Sequence, residues 1–549
     1  MKKRRRRRDR RPLIAVLLII LLAIAAFFLL RYMPSNKKKN LYDYYQANKG
    51  EGAVLVLGEE RLEERGKIVD STAYLPLALV QEKINSGFYW NEDTAEIYYT
   101  LPSSLDKWPS SETGGEVLLS DGQVYLSLGL IKRYTDLDTY VYTEPDRIIL
   151  RNQFDSLSMV RTRKKAAIRF LAGIKADVLS KVPSGTDLVY LGEEGSWYLV
   201  STWDGYKGYV AKNQVGGVSE VSLPRTFTPQ ECSFIKIQEP VNLGFAMVTN
   251  MDANDTVLAN MQDMTGVNVI CPTWFSLSSE SGEFDDYSSS YFTEQAHARG
   301  LQVWGLIDNF SGVSTYETLR HSSVRERLVE NLVGAIQRVG ADGINIDFEG
   351  LTYDSAPHVV QFLRELSIRT HAEGLVLSFD NPPPEGYTGH YQRLDQAQVV
   401  DYNVIMGYDE HYQGDEFAGS VASYPWVEQG IIDTIEEFPA ERSILAVPFY
   451  TRAWYEQAGS VNSQIIYMYE QDEVLALRAP DIYWNTELRQ YVATWTVEGT
   501  DYTMWMEEEN SLRDKVSLAK KYGLAGIAFW RLGFEKNEIW SVLTEALSS

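Results

Sequence analysis

Residues 342–350 read Asp342-Gly343-Ile344-Asn345-Ile346-Asp347-Phe348-Glu349-Gly350 and carry the strongest indication of how this 549-residue chain folds. In a β-strand, side chains two residues apart share a face, so Asn345, Asp347 and Glu349 point one way and the apolar residues between them point the other way. Three polar groups on a buried face are costly unless they bond one another. Packing alone would place Val or Ile there. The segment therefore predicts a buried strand whose polar face serves chemistry.

Strand-like apolar runs alternate with helical stretches throughout residues 234–549. Runs that are apolar on both faces and alternate with helices predict a parallel sheet closed into a (β/α)8 TIM barrel of the α/β class. A doubly wound open sheet is the alternative, although no glycine-rich phosphate turn follows any of the runs. The eight runs are 241–248, 267–276, 301–307, 343–348, 375–379, 402–406, 444–449 and 525–530.

The catalytic residues of such a barrel lie at the carboxyl ends of its strands, so Glu349 is expected at the mouth. Further motifs follow the later strands: Met406-Gly407-Tyr408-Asp409, Pro448-Phe449-Tyr450-Thr451-Arg452-Ala453-Trp454, and Trp530 at the end of the eighth run. Together with Asp-x-x-Asn-x-Asp-x-Glu, these motifs resemble glycoside hydrolase family 18, which includes chitinases. The resemblance covers most of residues 234–549. Pro272-Thr273-Trp274-Phe275 is similar to the branch of spore-cortex and envelope glycosaminidases.

This resemblance implies substrate-assisted catalysis, in which the 2-acetamido oxygen of the sugar attacks the anomeric carbon. Glu349 would protonate the leaving oxygen, and Asp347 would accept the acetamido N–H and stabilise the oxazolinium ion. Tyr408 would donate its hydroxyl to the acetamido carbonyl, Asp409 would orient the sugar, and Trp530 would stack on it. No metal or cofactor is implied. Further substrate-binding candidates are Trp274 and Tyr450, as stacking rings, and Arg452 and Met406.

One residue departs from the family motif, because its middle Asp is Asn345 here. An Asp there shares a proton with its neighbour, whereas an Asn only donates and accepts hydrogen bonds. Asp347 is therefore expected to lose a like-charge partner and to ionise more readily. Since the acid Glu349 is present, we expect an active enzyme with an altered rate and pH optimum. Asp342 lies on the opposite strand parity and is expected to be structural.

The charge of the chain is divided unevenly. The whole chain carries −23, yet residues 1–40 contain 13 Lys and Arg against the single acid Asp9, which leaves −35 on residues 41–549. A body this acidic repels nucleic acid and anionic lipid. The basic residues within 1–40 therefore do not indicate a domain that binds polyanions, and no nucleic-acid partner is expected.

Residues 13–30 form an uncharged apolar run of 18 residues, just long enough to cross a bilayer. The preceding residues 1–12 form a basic tail that should stay in the cytoplasm, which predicts a single-pass plasma-membrane protein with its catalytic domain outside. A cleaved signal peptide is the rival interpretation, but Phe27-Phe28-Leu29-Leu30-Arg31-Tyr32 is too bulky for a cleavage site. Residues 31–51 are predicted to be a polar linker.

Residues 52–152 contain a weak internal repeat, in which 73–77 is echoed by 124–128 and each copy continues with a short helix, an aromatic turn and a strand. This α+β module resembles the N-terminal domain of copper amine oxidases, without anything to bind copper. A structural spacer is the favoured interpretation of this module.

Residues 160–217 show short alternating strands between turn signals and resemble a bacterial SH3-like domain. Such domains often bind cell-wall peptides. Trp197, Trp203 and Tyr206 form either an aromatic groove or the core of a small barrel.

Taken together, these patterns predict a membrane-anchored, extracytoplasmic glycosidase that cleaves β-1,4 bonds in polymers containing N-acetylglucosamine. Peptidoglycan is favoured over chitin because the chain carries a wall-type SH3-like module and an anchor. A non-catalytic, lectin-like protein of the envelope is one alternative, and a structural envelope protein acting through residues 52–217 is another. Cys232 and Cys271 exclude a disulfide scaffold, although they could still pair with each other.

Overall fold

The computed structural model describes residues 11–225, 227–237, 240–261, 264–457 and 459–548. The chain divides into two compact units. One contains residues 1–86 and 109–229, and the other contains residues 87–108 and 230–549. Nearly all of the predicted cytoplasmic tail, residues 1–12, lies outside the described residues.

The second unit is built around a closed ring of parallel strands. The first strand pairs with the second and the eighth, the second pairs with the third, and each later strand pairs with the next. This closure confirms the TIM barrel and excludes the open sheet. The strands are β1 (Val241–Ala246), β2 (Val269–Pro272), β3 (Gln302–Asp308), β4 (Gly343–Asp347), β5 (Val376–Asn381), β6 (Tyr402–Met406), β7 (Ser443–Pro448) and β8 (Gly526–Trp530).

Helices surround the ring and cover its outer face. Val324, Leu328 and Leu332 recur at helical spacing on the buried side of Ser322–Val339, which ends at Gly340 with a left-handed φ of 72°. The main helices of this unit are Ala253–Asn260, Ser290–His297, Thr315–Leu319, Ser322–Val339, Ala356–Glu373, Arg393–Gln396, Tyr424–Glu437, Gln471–Arg478, Glu509–Tyr522 and Ile539–Ser548.

The alternation along β4 separates two layers of core as predicted. Ile344, Ile346 and Phe348 are fully buried in the outer layer with the apolar faces of the helices, whereas the interior of the ring is filled by a separate cluster that includes Phe245 and Trp304. The polar residues of β4 therefore point into the ring.

Asp342 has the structural role that its parity predicts. Its Oδ2 accepts the Val303 N–H at 2.8 Å and lies 2.8 Å from His297 Nε2. Because it precedes β4, this carboxylate fixes the start of the strand and is remote from the chemistry at its other end.

Between β7 and β8 the chain inserts a five-stranded antiparallel sheet that the sequence patterns did not predict. A buried ion pair ties the sheet to the barrel: Lys515 Nζ lies 2.5 Å from Glu507 Oε1, and Gln490 donates to the same carboxylate at 2.6 Å. In spatial order the strands are Ser460–Tyr467, Tyr450–Gln457, Thr500–Trp505, Gln490–Val497 and Asp481–Asn485.

A hairpin from residues 87–108 packs on the barrel helices within the same unit. Its Tyr89 hydroxyl lies 2.6 Å from His358 Nδ1 and accepts from Arg325 Nη1 at 3.2 Å. Arg325 is itself fully buried and paired with Glu365 at 3.0 Å. The two strands are Phe88–Asn91 and Glu96–Leu101, joined in antiparallel register.

The internal repeat is a repeat of structure. Each copy runs strand, helix and hairpin, and the two leading strands pair antiparallel through Tyr74 and Ser127. The first copy contains Thr72–Pro76 and Leu77–Lys83, followed by the hairpin described above, and the second contains Gln123–Ser127, Leu128–Tyr134, Asp138–Tyr142 and Arg147–Arg151. The remaining strands of this region are Ala53–Leu57, Glu60–Val69, Ser104–Ser111 and Val117–Ser120. The likeness to copper amine oxidases stays a prediction.

The SH3-like region forms a seven-stranded sheet, as its alternating pattern predicts. Trp197 and Tyr206 are buried, and the Arg151 guanidinium lies 4.6 Å from the centre of the half-buried Trp203 ring. The aromatic residues thus serve as core, and they do not form an open groove. The strands are Leu157–Arg161, Ala166–Arg169, Val178–Val182, Asp187–Glu194, Trp197–Ser201, Lys207–Ala211 and Ser219–Val221.

Part of the predicted linker is ordered in the same unit. Leu41–Tyr45 is a short helix whose Tyr45 is only 2% exposed and lies against Tyr206 with ring centres 5.9 Å apart. Burial of the Tyr45 ring, with Tyr42 and Tyr44 partly buried beside it, outweighs the polar composition of the segment. Ahead of it, Arg11–Tyr32 is a helix, and Ile14–Tyr32 within it is long and apolar enough to cross a membrane.

The two cysteines are unpaired. Cys271 is buried in β2, and Cys232 lies 3.7 Å from His371 Nδ1. The bridge left open by the sequence is therefore not formed.

Candidate active site

Three carboxylates stand side by side on consecutive strands at the mouth of the barrel. Asp308 at the end of β3 is in register with Asp347 at the end of β4. Ile346 is in register with Phe379, so Asp380 on β5 is the next neighbour of Asp347. Among the residues that the structure describes, no group of three or more His, Cys, Asp or Glu side chains is arranged to hold a metal ion.

Asn345 is wholly buried below this row and links β4 to β5. Its Nδ2 donates to Ser378 Oγ at 3.0 Å and to Asp380 Oδ1 at 2.7 Å. These two bonds fix which way the amide points, so its Oδ1 faces away from β5. Within the described residues, neither this Oδ1 nor Asp347 Oδ1 has a hydrogen-bond partner.

Asp347 does not ionise more readily, so the expectation drawn from Asn345 is wrong. Burial raises the pKa of Asp347 well above its ordinary value, and the charges of Asp380 and Glu349 raise it further. Burial likewise raises the pKa of Asp380 to about 8, against the opposing hydrogen bond from Asn345. The like-charge partner missing from β4 is present on the next strand.

Glu349 is held at the mouth through its backbone. Asn309 Oδ1 accepts the Glu349 N–H at 3.0 Å, and Asn309 Nδ2 donates to the Glu349 carbonyl at 2.9 Å. Desolvation in the cleft raises the pKa of the Glu349 carboxyl, as do the charges of Asp409 and Asp308, although part of the residue faces solvent. A carboxyl with a raised pKa suits a general acid.

The residues after β6 form a second group, two strands along the ring from β4. Tyr450 donates its hydroxyl to Asp409 Oδ1 at 2.5 Å, and Asp409 adopts a left-handed φ of 62°. Burial raises the pKa of Asp409, whereas the Tyr450 bond and the Arg452 charge oppose the rise. Burial and the nearby carboxylates hold the pKa of Tyr408 well above its ordinary value, so its hydroxyl remains a donor.

The half-buried Trp530 closes β8 beside these residues. Its ring lies nearly parallel to that of Tyr408, with centres 6.4 Å apart and planes at 23°, and Phe245 supports it from inside the barrel. An indole with one free face at a barrel mouth can stack on a sugar ring.

Two of the predicted stacking residues cannot stack. Trp274 is 0% exposed in the helix-facing layer, where its Nε1 donates to Asn254 Oδ1 at 2.9 Å. Tyr450 is 3% exposed, and its hydroxyl is used on Asp409. Both are corrections, since an aromatic residue in sequence does not reveal which face of its strand is covered.

Two other predicted binding residues remain predictions. Met406 is 9% exposed at the end of β6. Arg452 donates from Nη1 to Ser463 Oγ at 3.2 Å, and its positive charge acts to lower the pKa of Asp409.

Sequence reasoning missed Asp380 and Asn309. The run Leu377-Ser378-Phe379-Asp380-Asn381 alternates polar and apolar residues at the end of a predicted strand, as β4 does. Applying the same parity rule to it would have placed Ser378 and Asp380 inside the barrel. Asn309 directly follows β3, at the end where barrel chemistry collects.

Comparison with known families agrees with this geometry. Residues 236–535 match the family model for glycosyl hydrolases family 18, and residues 164–215 match that for the bacterial SH3 domain. The first match covers more than half of the chain. The chain belongs to glycosyl hydrolases family 18. The departure of this family 18 protein from the family motif at Asn345 stays a prediction.

Curated relatives of this family 18 protein come from Bacillus subtilis (strain 168). The Cortical fragment-lytic enzyme is 26% identical over 242 residues, which are 41% of this chain and 54% of that protein. The "Uncharacterized glycosylase YvbX" is 23% identical over 294 residues, 51% of this chain and 84% of that protein. The chain spans about half the length of several curated relatives it matches.

Solved structures share its fold. The Bacillus cereus spore cortex-lytic enzyme SleL has a TM-score of 0.52 at 17% identity, with 61% of this chain and 78% of that chain covered. A chitinase from Chromobacterium violaceum has a TM-score of 0.51 at 21% identity, with 56% of this chain and 99% of that chain covered.

Proposed function

We propose that the protein is a membrane-anchored, extracytoplasmic glycosidase that hydrolyses β-1,4 bonds of N-acetylglucosamine-containing polymers, with retention and with assistance from the substrate. The observation that carries the proposal is the grouping of Glu349 at the barrel mouth with the buried Asp347 on the same strand and with Tyr408, whose pKa both carboxylates raise. Family membership and an intact Glu349 support catalysis over lectin-like binding.

In the first step, Glu349 donates its proton to the oxygen of the leaving sugar. The acetamido oxygen of the bound sugar attacks the anomeric carbon as the glycosidic bond breaks, which gives an oxazolinium ion and a free hydroxyl on the leaving sugar. Tyr408 donates its hydroxyl to the acetamido carbonyl and so fixes the attacking oxygen. The developing positive charge lies beside Asp347 and its acidic neighbours, which stabilise it electrostatically.

In the second step, the ionised Glu349 accepts a proton from water, and the water oxygen attacks the anomeric carbon. The oxazolinium ring opens and the acetamido group is restored. Two inversions at one carbon retain the configuration. Glu349 is reprotonated by the same transfer, so protons balance over the cycle.

We favour peptidoglycan as the substrate of this enzyme. The chain carries a bacterial SH3 domain match, and curated relatives include a protein printed as a cortical fragment-lytic enzyme. The apolar helix ending at Tyr32 would tether the enzyme to the outer face of the plasma membrane, beside the wall, with the basic tail in the cytoplasm.

Substrate assistance can be tested directly. Protein beginning at residue 33 keeps the backbone bonds that Ser35 and Lys39 make within the first unit, and it lacks the apolar helix. We expect it to cleave N-acetylglucosamine oligomers and to leave glucosamine oligomers of the same length intact, because these lack the acetamido nucleophile. Equal cleavage of both series would contradict the mechanism.

A further inference from the structure

The interior of the barrel mouth contains two buried oxygens that the chain leaves unsatisfied. Asn345 Oδ1 and Asp347 Oδ1 lie two residues apart on one face of β4, and neither has a hydrogen-bond partner within the described residues. Asn345 cannot turn its amide to correct this, because both of its N–H groups are used on Ser378 and Asp380. A buried acceptor without a donor is costly, so protonation of a neighbouring carboxyl would relieve the cost.

Two adjacent carboxylates could carry that proton. Asp347 and Asp380 are neighbours on β4 and β5, and they are 4% and 3% exposed. Within the residues that the structure describes, neither is paired with a Lys, Arg or His side chain. Two carboxylates this close and this buried, without a cation, cannot both ionise near neutral pH.

We propose that Asp380 is a positioning residue that holds one proton jointly with Asp347. It thereby takes the place, from the neighbouring strand, of the Asp that the family motif puts at position 345. The inference rests on the proposed function, because the purpose of the shared proton is to present Asp347 to the acetamido N–H.

The arrangement explains why Asn345 is tolerated. An amide at this position supplies a donor to Asp380 without adding a third buried charge beside the two acids. Moving the carboxylate from β4 to β5 keeps one proton and one negative charge in the pair. The site therefore keeps one negative charge, with the second carboxyl on β5 instead of on β4.

An exchange of the two residues tests this account. We would compare the parent with Asp380→Asn, Asn345→Asp and the double variant Asn345→Asp/Asp380→Asn, measuring kcat and KM against pH on N-acetylglucosamine oligomers. Asp380→Asn is isosteric and can still accept the Asn345 bond. It should lower kcat by about tenfold or more and move the acidic limb of the kcat profile to lower pH by about one unit, with little change in KM. The double variant should recover kcat to within about threefold of the parent.

A matched control separates a shared proton from a general effect of charge. Asp308→Asn removes the acid on the other side of Asp347, but the Asp308 carboxylate already accepts from Ser276 at 2.7 Å and from the Phe310 N–H at 3.1 Å. It should move the profile less than Asp380→Asn does. Equal shifts in the two variants, a parent-like profile in Asp380→Asn, or a double variant no better than Asp380→Asn would each overturn the proposal.

A second readout does not need activity. Infrared spectra of protein with isotope-labelled aspartate carboxyls should show the band of a protonated acid in the parent at neutral pH, and Asp380→Asn should lose it. A parent that shows this band yet cleaves no substrate would leave the shared proton standing and refute the proposed function. An active parent without the band would refute only the shared proton.

Discussion

The backbone of Glu349, the general acid of the proposed mechanism, is held by one side chain outside the motif that names it. Asn309 makes two hydrogen bonds to the Glu349 backbone, one in each direction. Replacing Asn309 by Ala removes both. At a net worth of about 0.5–1.5 kcal/mol each, their loss amounts to about 1–3 kcal/mol. If the two bonds stabilise the transition state and not the bound substrate, kcat should fall by about 5- to 150-fold when they are lost.

The assay for this prediction is steady-state cleavage of N-acetylglucosamine oligomers, with kcat and KM measured separately. Thr315→Val is the matched control, because it removes the other acceptor of Asn309 Nδ2, at 2.9 Å, and leaves both bonds to Glu349 in place. The fall should appear in kcat and not in KM, since Glu349 acts on the reacting bond. A kcat for Asn309→Ala within twofold of the Thr315→Val value would refute the reasoning.

Three further predictions concern binding and stability. Trp530→Ala should raise KM for oligomers by about tenfold, about 1.4 kcal/mol, because the stacking face is lost; an unchanged KM would exclude Trp530 from binding. Burial, with the charges of Arg325 and Arg320, lowers the pKa of His358 to about 4 from 6.5, so the unfolded chain takes up a proton first and stability should fall by about 3 kcal/mol as pH drops through that window. Urea unfolding of His358→Gln should lack this part of the pH dependence, and a parallel fall would contradict the assignment. In the same measurement, Lys515→Met should lower the free energy of unfolding by about 3–5 kcal/mol, because it leaves the buried Glu507 carboxylate without a counter-ion. A smaller loss would show that water reaches this ion pair.

The barrel could be predicted because short apolar runs alternate with helical stretches along residues 234–549. β4 adds a two-residue alternation, which predicted that Ile344, Ile346 and Phe348 pack outside the ring and that Asn345, Asp347 and Glu349 face its interior. The inserted sheet after β7 escaped prediction. Its edge strand Asp481–Asn485 is largely exposed on both faces, so it has no buried face to impose a pattern.

The site was predicted only as far as one strand can reveal it. Motifs name Glu349, Asp347 and Tyr408 as candidates, but the pKa of Asp347 is also raised by Asp380, which is 33 residues away in sequence. Strand register brings Asp380 to it, and register is a property of the closed ring. The stacking role predicted for Trp274 was wrong for the same reason, because the helices that cover β2 determine its burial.

In the proposed mechanism, Glu349 is the acid of a glycosidase that acts on a polymer of the cell wall. We would incubate protein beginning at residue 33, beside its Glu349→Gln variant, with purified peptidoglycan and with N-acetylglucosamine oligomers, and identify the products by mass spectrometry. New reducing ends at N-acetylglucosamine should form with the parent, and the variant should be slower by at least about 10²-fold. Equal product from both proteins, or bound sugar without product from either, would contradict the account.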